Sequence, residues 1–193
     1  GVREGLARSL ATDRLDPSPA VRRGSLDALA GRFAGWSRDR ADRRERVAEA
    51  LRGALLPAAG ELAEALALAA RVLDIGRTVD FFDRHEHVAD LLLATDLGGF
   101  SHRQVALLAA LVRRAGDEDA RERSLAPLVT REDRRPLERA AALLALADEV
   151  TERCAPGSTA AVAVRLRRGE AVVLVPSLGA WGPAAIDQRF AAA

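Results

Sequence analysis

Residues able to do chemistry gather in one stretch, RVLDIGRTVDFFDRHEHVADLLLATDLGGF, Arg71 to Phe100, where an aspartate, a glycine and two histidines follow a run of leucine and alanine. A metal centre would need neutral imidazoles and ionised carboxylates converging on one point, as they do from separate helices in carboxylate and histidine sites. His85 and His87 are two residues apart in HEH. On a helix such side chains point about 200° apart, so both could bind one ion only if that segment were extended. The HExxH zinc pattern also fails, because Ala89 stands four residues after His85. HEH by itself reads as a polar helix start. Asp74 says more, since it closes an apolar helix at the end where the macrodipole disfavours a carboxylate. Solvent, a nearby arginine or a buried polar site must compensate it.

Other constellations are weaker. No glycine-rich phosphate loop lies between a strand and a helix, and serine, histidine and aspartate are scattered without spacing. The single cysteine, Cys154, has no placed base and reads as a buried thiol. One cysteine excludes an internal disulfide and suits a reducing compartment, so a cytoplasmic protein is expected. The formal charge is +1, every basic side chain is arginine, and 49% of residues are hydrophobic. A molecule so balanced has no strong overall field for polyanions, and any attraction must be local. No apolar run reaches the roughly 18 residues of a membrane span, no signal peptide is apparent, and the first residue is Gly, as in a piece cut from a longer chain.

The elements that would position these groups are mainly helical as far as Cys154. Ser18 and Pro19 open a helix carrying Leu26, Leu29, Ala30 and Phe33. Val47, Leu51, Ala54 and Leu55 make the face of a second, and Leu62, Leu66, Ala69 and Leu73 that of a third ending by Gly76. A short fourth spans His85 to Ala94. Ser101 and Gln104 form a capping box for a fifth that ends at Gly116, and Pro136 opens a long sixth helix through Thr151. Between them GDEDARERSLAP reads as a loop. The period then changes to two in AVAVRLRRGEAVVLV, which predicts a β-hairpin turning at RRGE. An amphipathic piece with Ile186 and Phe190 follows. The APGS segment, Ala155 to Ser158, divides the chain into a helical domain, residues 1–154, and a small α+β appendage, residues 155–193.

The helix ending in LDIG, then DRHEHVADLLLATDLGGFS, then QVALLAALVRR and later LLALADEV resembles the C-terminal helical domain of the exopolyphosphatase and guanosine pentaphosphate phosphohydrolase (Ppx/GppA) family. The opening GVREGL is similar to that family's passage from its catalytic half, and the closing hairpin to its tail, so the likeness covers almost the whole chain. The resemblance implies a mainly α, HD-like helical bundle with a β-hairpin and helix appendage. It also implies hydrolysis of polyphosphate or guanosine pentaphosphate by an N-terminal actin-like half that uses magnesium. Such a half has no counterpart here, so the chain is expected to be non-catalytic and to hold no cofactor or metal of its own. HD-type metal phosphohydrolases use a His, a His-Asp pair and a final Asp. Carried over, the pair falls on Leu73 and Asp74, the last Asp on Asp148, and the first His near Arg43. Leucine has no donor atom and arginine has no lone pair for a metal, so Asp74 and Asp148 are vestigial positions. Where many members have RYH, this chain has Arg113, Arg114 and Ala115.

The expected partners are polyphosphate or another phosphate polyanion, the chain's own catalytic domain and a second copy in a homodimer, with neither membrane nor nucleic acid. Arg84, His85, His87, Arg113 and Arg114 are the candidate polyanion-binding residues. Exposed arginines paired with Asp80, Asp83 and Asp117 would leave no such site. The alternatives are an HD-type phosphohydrolase with a degenerate ligand set and a helical scaffold without a ligand.

Overall fold

A computed structural model describes residues 18–80, 82–116, 125–155, 158, 161–167, 170–175 and 178. Six α-helices are present among them: α1 (Pro19–Ala30), α2 (Arg38–Leu55), α3 (Glu61–Val72), α4 (Arg84–Ala94), α5 (His102–Ala115) and α6 (Arg134–Arg153). A 3-10 segment, Leu73–Thr78, continues α3, and an antiparallel hairpin of β1 (Ala163–Arg167) and β2 (Glu170–Leu174) follows α6. The expected mainly α bundle is thus present, with its hairpin in register from Ala163 opposite Leu174 to Arg167 opposite Glu170. The closing piece with Ile186 and Phe190 lies outside the described residues, as does most of the loop before Leu125.

Helix α3 holds the centre because it has little polar surface to show water. Leu62, Ala65, Leu66, Leu68, Ala69 and Ala70 are all buried, and α1, α2, α5 and α6 pack around it. The local sequence explains where the helices start. Ser18 caps α1, its Oγ accepting from the Val21 amide at 3.4 Å, with Pro19 in the first turn. The box on α5 is complete: the Gln104 amide donates to Ser101 Oγ at 3.2 Å and the Ser101 amide donates to Gln104 Oε1 at 2.9 Å. Helix α6 begins two residues before Pro136, with Asp133 as its cap. Helix α4 begins at Arg84, one residue before the expected start.

Two glycines permit close approach. A Cβ on Gly76 would stand 2.1 Å from the Arg84 carbonyl oxygen, so only glycine lets the 3-10 segment lie against the start of α4. A Cβ on Gly116 would stand 2.7 Å from Cγ of His85. Both contacts set how α4 meets its neighbours, and α4 carries His85 and His87.

Candidate functional site

The 3-10 segment delivers Asp74 into the interior, where it is 0% exposed. Helix α6 brings Asp148 to the same place at 2%. Between them lies the guanidinium of Arg44 from α2, itself fully buried. Arg44 Nη2 donates to Asp74 Oδ1 at 2.9 Å, and Nη1 donates to the Ala70 carbonyl at 3.0 Å. Its Nε stands 2.7 Å from Asp148 Oδ1, a close ion pair rather than an aligned hydrogen bond. One delocalised cation thus serves two buried carboxylates and a backbone carbonyl, a task suited to the planar fork of arginine.

Further charges complete the cluster. Arg77 reaches Asp74 at 3.1 Å and Glu152 at 2.7 Å, and Arg84 donates to the second oxygen of Asp148. Arg40 stands 3.7 Å from Asp74 and 3.6 Å from Glu152 at the half-exposed rim. Burial works against the charge of Asp148, yet Arg44 and Arg84 outweigh it and hold the carboxyl below its ordinary range. Burial likewise works against the Arg44 cation, and Asp148 and Asp74 reverse that effect and raise its pKa. His85 sits against the same cluster. Burial first, then the Arg84 charge, lowers its pKa to about 4, so the ring is neutral at neutral pH.

The compensation that Asp74 requires is therefore supplied by arginine. The position expected near Arg43 for an imidazole is filled one residue later, because Arg44 turns inward while Arg43 Nη1 donates to the Ala155 carbonyl at 3.0 Å. Arg44 precedes Val47 by three residues and Leu51 by seven, so extending that apolar stripe backwards finds it. Arg77 and Glu152 carry no comparable signal in the sequence.

A second arginine-centred cluster was also hidden in the sequence. Arg71, at the end of α3, donates to both oxygens of Asp27 at 2.8 and 2.9 Å, and to Asp42 at 2.5 Å and Glu45 at 2.7 Å. Its carbonyl accepts from Trp36 Nε1 at 2.7 Å. That cluster ties α1, α2 and α3 together, and each carboxylate is an unremarkable surface residue in sequence.

The candidate polyanion residues divide. Helices α4 and α5 do meet, but Arg113 is buried and donates to Glu86 at 3.0 Å and to Asp90 at 2.7 Å. Arg84 is buried against Asp148, and His85 beside it. Two of the guanidinium groups are thus committed to the buried carboxylates Asp148 and Glu86, Arg113 also reaching the exposed Asp90. His87 is half-buried on α4, and Arg114 lies apart, 3.4 Å from Glu138 of α6.

The sequence matches the family described as Ppx/GppA phosphatase, domain III, over residues 26–169. The chain belongs to the Ppx/GppA phosphatase family. A search among curated proteins finds no match. The match begins within α1 and ends just beyond β1, so Arg44, Asp74 and Asp148 all lie within domain III. Against the divalent-metal centre that the HD-like resemblance implies, the residues present do not fit. Leu73 offers no donor, and the two carboxylates already share a guanidinium that has no lone pair to give. Among the described residues no helix is long and apolar enough to cross a membrane.

Proposed function

We propose that this chain is a non-catalytic C-terminal module of a Ppx/GppA-type phosphatase. In this reading a separate N-terminal catalytic domain, with magnesium, hydrolyses polyphosphate or guanosine pentaphosphate in the cytoplasm. The present module helps to hold the polyanion and to pair two subunits. One observation carries the non-catalytic part: Arg44 stands between Asp74 and Asp148, where a metal-dependent centre would need an imidazole and an open coordination position. A guanidinium cannot activate water as a metal does, and at this burial it neutralises the two carboxylates permanently. Their role becomes structural.

The competing reading is an HD-type phosphohydrolase that works with the remaining carboxylates. The two separate on a hydrolysis assay of this chain alone, with polyphosphate and guanosine pentaphosphate as substrates and magnesium or manganese present. The module reading expects no phosphate release above the level of an Asp74→Asn and Asp148→Asn double variant. Release by the parent that the double variant lacks would establish the phosphohydrolase instead.

A further inference from the structure

We draw no further inference here: the strongest candidate, the exposed apolar patch of Val79 and Phe82 in the turn between the 3-10 segment and α4, carries nothing because nothing in the structure shows what covers it.

Discussion

Replacing Arg44 by methionine keeps most of the side-chain volume and deletes the buried cation that stands between Asp74 and Asp148. Breaking a buried ion pair from one side costs about 3–5 kcal/mol, since it leaves a charge in low dielectric. The lower end applies here. Asp148 keeps Arg84, and Asp74 keeps Arg77 at 3.1 Å, so neither carboxylate is wholly stranded. A loss of about 3 kcal/mol is a large share of the 5–15 kcal/mol that holds a typical domain folded. With a urea slope of about 2 kcal/mol per molar, the denaturation midpoint should fall by about 1.5 M at pH 7.5. The sign of the pH dependence follows from linkage. Arg44 is the foremost charge holding the Asp148 carboxyl low, so the stability it supplies through that carboxylate is present above the ordinary carboxylate range, and the penalty of its loss shrinks as pH falls through that range. A midpoint within about 0.2 M of the parent, well inside the expected loss, would refute the assignment of Arg44 as the counter-ion of this cluster. A penalty that grows on acidification would refute it too.

Gly76→Ala should cost at least about 3 kcal/mol or prevent folding, because the new methyl meets the backbone carbonyl of Arg84 at 2.1 Å; a midpoint unchanged in urea would mean the 3-10 segment and α4 are not so close. Ser101→Ala should lower stability by about 1 kcal/mol through loss of the capping box, and an unaltered melting curve would place the start of α5 elsewhere. His85, lowered by burial to about 4, should make stability fall as pH drops from 6.5 towards 4, since the unfolded chain binds the proton more readily there. The full span is about 3 kcal/mol, and His85→Gln should flatten that part of the profile. Parallel profiles for parent and variant would show that the ring does not carry it.

The helices were legible because caps and apolar periods are local properties. Ser101 with Gln104, Ser18 with Pro19 and the Leu62, Leu66, Ala69 stripe each announce their element without reference to the rest of the fold. Asp74 was legible for the same reason, being a carboxylate at the wrong end of an apolar helix. What it pairs with was not. The stripe through Val47 and Leu51 marks Arg44 as inward-facing, but only the packing of α2 on α3 and α6 brings Asp74 and Asp148 to it. Arg84 and Arg113 looked available because helix starts and ends are usually solvated. Their burial follows from Gly76 and Gly116, which draw α4 onto the 3-10 segment and the end of α5. The clusters around Arg44 and Arg71 gather carboxylates from separate elements, and no spacing within one helix encodes such a meeting.

Metal uptake tests the central claim most directly. The chain is stripped with chelator, re-equilibrated with manganese, magnesium or iron, freed of unbound ion, and its metal content measured beside that of the Asp74→Asn and Asp148→Asn double variant. With Arg44 neutralising both carboxylates and Leu73 offering no donor, the parent should hold no stoichiometric ion and should match the double variant. One ion per chain in the parent, lost in the double variant, would contradict the account and restore a working metal centre to this domain.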